Sequence, residues 1–310
     1  MAVEIGINPN TWTLDDVPEL RHFTSLEDCL SQAGQCGYAG IEMGGIFPRN
    51  AAELRPLLDD AGLALISGWY DGKLHEQGPD AEFRAVRPFL EFLKQMGCRV
   101  IVYADVSGAS FGDAGSPLSV RPKLADGGFA EYGAKATQLA ERMADFGIRM
   151  AFHHHIGTIV ETDEEVDRLM AATGPAVGLL HDSGHSLLAG GNPVELARRH
   201  CARINHVHCK DVRANVLTQV TARDASFIDA VLAGVYTVPG DGCIDFAAIL
   251  GILSQGGYSG WLVVEAEQDL RQAPPLVYAR LGYTNLRHLD AAAGFRVTGQ
   301  STESVGQGVA

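Results

Sequence analysis

The stretch Phe152-His153-His154-His155-Ile156-Gly157-Thr158-Ile159-Val160-Glu161-Thr162 follows an apolar run, 148–152, and leads into Asp163-Glu164-Glu165. The apolar run reads as a short buried strand. Thr162 followed by three acids reads as a helix start: a hydroxyl N-cap with negative charge in the first turn. Three histidines and a glutamate thus fall where a strand ends and a helix begins, the rim at which α/β folds bind ligands. Taken alone, adjacent histidines could equally be a polar turn.

Outward from this stretch the same rhythm runs in both directions. Apolar runs predict strands over 3–7, 40–43, 64–70, 99–104, 148–152, 177–182, 204–208 and 261–265. Amphipathic spacing predicts helices over 25–35, 51–61, 80–96, 129–146, 164–172, 193–200, 246–254 and 272–292. Gly62, Gly97 and Gly147 follow three of these as helix stops, while Pro56 and Pro88 fall inside two. The connection 212–242 is long, with a helical piece at 226–234; such an insertion at a rim covers a site. Eight strand–helix alternations without a hairpin signal predict a closed (β/α)8 TIM barrel, α/β in class. It forms a single domain over 1–295, with a disordered Gly-, Ser- and Gln-rich tail over 296–310. The alternative, an open doubly wound sheet, lacks a GxGxxG after its first strand.

Composition narrows the partners. The chain has 310 residues, 46% of them hydrophobic, enough for one large core. Its net charge of -14 repels phosphate backbones, so nucleic acid is not expected. Six cysteines without a CxxC pair point to a reducing cytoplasm rather than a disulfide framework. Neither a signal peptide nor an apolar run of the ~18 residues that span a membrane is visible.

Three further strand ends carry groups of the same kind as the histidine stretch. They are His181-Asp182-Ser183-Gly184-His185, His206-Val207-His208-Cys209-Lys210-Asp211 and Glu265-Ala266-Glu267-Gln268-Asp269. In a barrel all of these ends face one rim. Histidines and carboxylates converging there suit a divalent cation such as Mn, Co, Zn or Mg. Residues two apart share a face, so His153 pairs with His155, His206 with His208 and Glu265 with Glu267. The expected ligands are Asp182, His208 and Glu265. The fourth is either Glu161, which adds charge but sits on a loop, or His153, which sits on the strand and otherwise falls to substrate.

Asp182 with His185, His208 with Lys210 and Asp211, and Glu265 resemble the strand-end pattern of the xylose-isomerase-like sugar phosphate isomerase/epimerase superfamily. More narrowly, four segments resemble the inosose dehydratases: 153–158, 206–213, 237–242 and 260–269. The superfamily's strand-five glutamate is replaced here by His153. The resemblance implies a hydro-lyase of inositol catabolism that removes water from 2-keto-myo-inositol (scyllo-inosose) through an enediolate. It also implies Mn or Co as cofactor, with Mg, Zn or Fe as alternatives, and a homo-oligomer acting on a small polyol.

On that reading His155, His185 and Lys210, each beside an expected ligand, are the candidates for moving protons. Arg213, Asp241 and Glu267 are candidates for hydrogen-bonding ring hydroxyls, and Trp12, Trp69 and Tyr103 for walling the pocket. Three rivals compete. A ketose isomerase or epimerase would share the metal. An abasic-site endonuclease would need extra histidines where this chain has Glu42 and Trp69-Tyr70. A sugar-binding module would need no ion.

Overall fold

In the computed structural model, which describes residues 2–15, 17 and 24–297, eight parallel strands close on themselves. These eight and three short strands outside the ring are, in chain order, β1 (Ala2–Ile7), β2 (Gly40–Met43), β3 (Ala64–Gly72), β4 (Val100–Asp105), β5 (Arg149–His153), β6 (Val177–Asp182), β7 (Ile204–Cys209), β8 (Asp211–Val212), β9 (Tyr236–Thr237), β10 (Gly260–Val264) and β11 (Arg296–Val297). The barrel runs from β1 through β7 to β10, and β10 pairs with β1 in the register Ile5–Leu262 to close it. Closure leaves these strands no free edge and sends every carboxyl-terminal end to one mouth.

The helices form where the local chemistry starts and stops them. Ser25, Asn50, Thr162, Asn192 and Asp245 each cap a helix with a side-chain oxygen. Thr162 does so in a full capping box with Glu165. Gly37, Gly62, Gly97 and Gly147 end helices in the left-handed conformation, which costs glycine nothing. Helices Ala51–Ala61 and Pro79–Met96 run on through Pro56 and Pro88.

Alternation along the strands divides the interior. Outward residues such as Val177 and Leu179 join the main core against the helices, while Val100, Val102, Ala151 and Leu180 form a separate cluster with Trp69. Two residues further along β5 and β6 stand His153 and Asp182. The barrel is therefore plugged with hydrocarbon at depth and turns ionisable at its mouth. The triple histidine obeys the same rule: His153 and His155 face the mouth. His154 is fully buried, and burial holds its imidazole down to about 3.

A second, smaller core roofs that mouth. It joins Val212, Val220, Phe227, Val231 and Tyr236 from the long connection to Leu14, Ile156 and Leu270. Residues 107–127, the excursion after β4, are latched to it: the Ser119 backbone N–H and hydroxyl donate to Asp224 (2.9 and 2.5 Å), and the Leu118 N–H donates to the Ala225 carbonyl (2.9 Å). The connection is more ordered than its sequence suggests, with helix Ala214–Ala222 and the antiparallel pair β8–β9. Asp211 anchors it, its carboxylate accepting from the N–H groups of Val212, Gly240, Gly242 and Ile244. Helix Ser183–Leu188, which is not among the expected helices, starts directly at β6 because Asp182 caps it. The tail expected over 296–310 is corrected at its start. Arg296 and Val297 pair with Ala2 and Val3, beside which β2 does not reach; 298–310 lie outside the described residues. Among the described residues no helix is long and apolar enough to cross a membrane.

Asp290, in helix Pro275–Ala292, is fully buried with neither carboxylate oxygen hydrogen-bonded, and burial pushes its carboxyl up to about 7. The folded chain therefore holds this proton where the unfolded chain has released it. Its contribution is intact below the unfolded value near 4 and is lost as pH rises to about 7, at a cost of up to about 4 kcal/mol. Thermal melts of Asp290→Asn should show a gain over wild type that grows between pH 5 and pH 8. A gap independent of pH would contradict this.

Candidate active site

The mouth is built from strand ends. At β5 the His153 Nδ1 lies 2.6 Å from the His154 carbonyl, which can only accept, so Nδ1 carries the hydrogen and Nε2 the lone pair. At β7 the His208 Nε2 lies 3.1 Å from the Glu42 carboxylate, so here Nε2 carries a hydrogen and Nδ1 is the nitrogen on which a proton or a cation would sit. Carboxylates and carbonyls behind histidines orient metal ligands in this way. Glu42 is held in turn by the His206 Nε2 (2.8 Å), the Ser67 hydroxyl (2.6 Å) and the Asn8 amide (2.7 Å).

The two inward lone pairs meet carboxylates. The His208 Nδ1 is 2.6 Å from the Glu265 Oε2, off the line a hydrogen bond needs, and 3.5 Å from the Asp182 Oδ2. The His153 Nε2 is 3.6 Å from that same Asp182 oxygen. Asp182 uses its other oxygen to accept the His185 N–H at the start of helix Ser183–Leu188. The Asp182 Oδ2, His208 Nδ1 and Glu265 Oε2 are all buried without a hydrogen-bond partner. Ligand atoms of His153, Asp182, His208 and Glu265 lie within 4.8 Å of one another. Lone pairs aimed at lone pairs require a positive charge between them, and two imidazoles with two carboxylates suit a borderline divalent ion. This cluster could hold one.

The electrostatics agree. Burial alone would depress His208, but the carboxylates of Glu265 and Glu42 outweigh it and hold the imidazole well above its usual range. Burial would likewise raise Glu42, yet His208 and His206 hold it well below the carboxylate range. The field that draws a proton to the His208 Nδ1 is the field that would draw a cation. His153, by contrast, is lowered by burial and stays neutral.

Beside this cluster, His155, His185 and Glu267 offer ligand atoms within 4.8 Å of one another. They line a cavity of about 600 Å3 together with His153, His208 and Glu265. The Trp69 indole packs edge-on against His153 and His155, and Phe111 closes over His155 at 4.6 Å. The far wall brings Asn8, Asn10, Arg49, Asp71 and Lys73 from the first three strand ends.

Several sequence expectations change here. Glu161 does not face the cluster: one oxygen pairs with Arg121 (3.1 Å) and the other accepts the Gly157 N–H, tying the turn after β5 to the excursion after β4. His153 stands with Asp182, His208 and Glu265 instead, because strand alternation points it inward. Arg213 and Asp241 bind each other (2.9 Å), and Arg213 also donates to Gly234, Tyr236 and Thr237. Neither lines the cavity; they brace β9. Lys210 is fully buried behind the cavity wall and does not line it. Trp12 and Tyr103 are core, leaving Trp69 as the wall.

Glu42 and Tyr236 were not singled out by the sequence. A charged residue inside the four-residue buried strand Gly40–Met43 is a signal for Glu42, since a buried charge must be paired. Tyr236 carries no such signal.

The family description "Xylose isomerase-like TIM barrel" matches residues 30–285. The chain is 57% identical to the rhizopine catabolism protein MocC of Rhizobium meliloti, over 96% of this chain and 92% of that one. It is 38% identical to the inosose dehydratase of Geobacillus thermodenitrificans and 39% to that of Erwinia tasmaniensis, each over 89% of this chain and 94% of the relative. Solved structures share the fold at low identity. The IOLI protein with a binding zinc atom superposes with a TM-score of 0.64 at 17% identity, over 94% of this chain and 98% of that one. L-ribulose 3-epimerase gives 0.66 at 16%, over 94% and 96%.

Chelator-stripped protein dialysed against Mn or Zn should take up one divalent ion per chain by elemental analysis. His208→Ala should take up none, and Glu42→Gln should bind about 10- to 100-fold more weakly. Affinity should fall as pH is lowered, since protons compete for His208 and His153. Full uptake by His208→Ala would rule this cluster out as the site.

Proposed function

The chain belongs to the xylose isomerase-like TIM barrel family, together with the inosose dehydratases, and from that membership we propose that it is a hydro-lyase removing water from a keto-cyclitol of the scyllo-inosose type. The observation that carries this reading is the convergence of the inward His153 and His208 nitrogens on oxygens of Asp182 and Glu265 that accept no hydrogen bond. His153, Asp182, His208 and Glu265 would hold a divalent cation, Mn or Co in our reading, which would supply Lewis-acid polarisation of a ketone oxygen and ease loss of the α-proton.

The remaining steps belong to side chains. The His155 Nδ1 donates to the Ile156 carbonyl (2.7 Å), which leaves the Nε2 lone pair free at the cavity wall. Burial first, then the neighbouring His153 and Lys210, holds this imidazole well below its usual range, so it is a neutral base at physiological pH. His155 takes the α-proton. His185 is less free: its Nε2 accepts from the Lys210 ammonium (2.9 Å), and its Nδ1 meets the Tyr236 hydroxyl (3.2 Å). It orients neighbours rather than moving the proton. Glu267 lines the cavity with its Oε2 2.8 Å from the same ammonium. It binds the β-hydroxyl and passes a proton from Lys210 to that hydroxyl as it leaves as water, and the proton taken up by His155 then restores the ammonium. Lys210 thus acts through Glu267. Trp69 and Phe111 exclude solvent from the base.

A second substrate reading follows from the 57% identity to a protein named for rhizopine catabolism, which exceeds the 38% and 39% to the inosose dehydratases. The natural substrate would then be a ketone arising in that breakdown.

Incubation with scyllo-inosose and Mn should produce the absorbance of a conjugated diketone, with loss of one water by mass. A product of unchanged mass would mean isomerisation or epimerisation instead. His155→Gln should lower kcat about 10²- to 10⁴-fold with the bound ion retained. Unchanged turnover would remove His155 as the base.

A further inference from the structure

Lys210 is among the largest fully buried side chains of the protein, and the polar atoms nearest its ammonium are three carboxylate oxygens and one imidazole nitrogen, all of metal-ligand type. The Nζ lies 2.8 Å from the Glu267 Oε2, 2.9 Å from the His185 Nε2, 3.2 Å from the Glu265 Oε2 and 3.5 Å from the Asp182 Oδ2. The last two oxygens are the ones that also face the His153 and His208 lone pairs. They stand between two positions: one bounded by His153 and His208, the other by His185, Glu267 and, within the same 4.8 Å group, His155. Two positive centres sharing carboxylates is the layout of two-metal sites, whose ions stand about 3.5–4 Å apart.

We propose that the Lys210 ammonium stands in for the second cation of a two-cation site, so that His155, His185 and Glu267, with the shared oxygens of Asp182 and Glu265, form a divalent-metal site that the lysine keeps closed. The inference rests on the first position binding a divalent ion. Charge supports it: the carboxylates of Asp182, Glu265 and Glu267 are balanced by one divalent ion and one ammonium. The backbone supports it as well. A Cβ on Gly184 would fall 2.5 Å from the Lys210 Cγ, so the first turn of helix Ser183–Leu188 is cut back to admit the lysine stem. The Tyr236 ring, 4.7 Å from the Nζ, covers the ammonium on another side. A covalently held single charge cannot exchange, so the site would depend on one free ion rather than two. It also leaves the His155 Nε2 free of a ligand role.

Wild type and Lys210→Ala, stripped with chelator and dialysed against Mn, should bind one and two ions per chain respectively by elemental analysis. The electron paramagnetic resonance spectrum of the variant should show an exchange-coupled Mn pair, and that of wild type an isolated ion. Lys210→Arg, which keeps the cation, should bind one. A single ion in Lys210→Ala overturns the inference while leaving the first site standing. Two ions in wild type overturn it directly. No ion in wild type overturns the metal reading itself and this inference with it. Should Lys210→Ala not fold, Lys210→Gln, uncharged and close in length, makes the same comparison, and the wild-type count decides independently of either variant.

Discussion

Buried carboxylates from three different strand ends crowd one mouth, and the structure around them works to keep them there. Asp182, Glu265 and Glu267 face a common centre, and Glu42 stands one histidine away. Burying one such charge unpaired costs several kcal/mol, so each must be met by a hydrogen-bond donor or a cation. Asp182 spends one oxygen on a helix start, Glu42 gathers His206, Ser67 and Asn8, and Glu267 leans on Lys210. What is left over, two oxygens and two imidazole lone pairs at one point, is what gives the cluster its appetite for a cation.

The barrel makes that arrangement sustainable. Its interior is closed off by Val100, Val102, Ala151 and Leu180, so the charged layer cannot relax downward. Its mouth is covered by a second apolar core built from the connection after β7, latched to the excursion after β4. This roof places Phe111 against His155 and Tyr236 against His185 and Lys210. The parts that cover the cavity thus come from loops, and the parts that hold charge come from strand ends. The same division lets relatives with different names share one frame.

Particular residues show how far the sequence could be read. Four strand ends bearing histidine and carboxylate were legible because a strand alternates with period two and a parallel barrel sends all its ends one way. That rule pointed to Asp182, His208 and Glu265, and it placed His153 and His155 on one face. It did not reach Glu161, where the choice between a loop glutamate and a strand histidine turned on Arg121, forty residues upstream and unremarkable in the sequence. Nor did it reach Arg213 and Asp241, whose opposite charges find each other across the base of the roof. Lys210 lies one pleat past an expected ligand, yet the chain turns it inward, behind the wall rather than into the cavity.

Local chemistry alone therefore determined the order of strands and helices, the closed barrel and the kind of group at its mouth. Hydrophobic period and capping act over a few residues, and eight repeats of them leave little topological freedom. Only the tertiary structure decided which of those groups meet, which nitrogen of each histidine keeps its lone pair, and which carboxylates another partner has already claimed. Those outcomes depend on distances of 3 Å or so between residues as far apart as Glu42 and His208, and no short-range pattern in a chain encodes a distance of that kind.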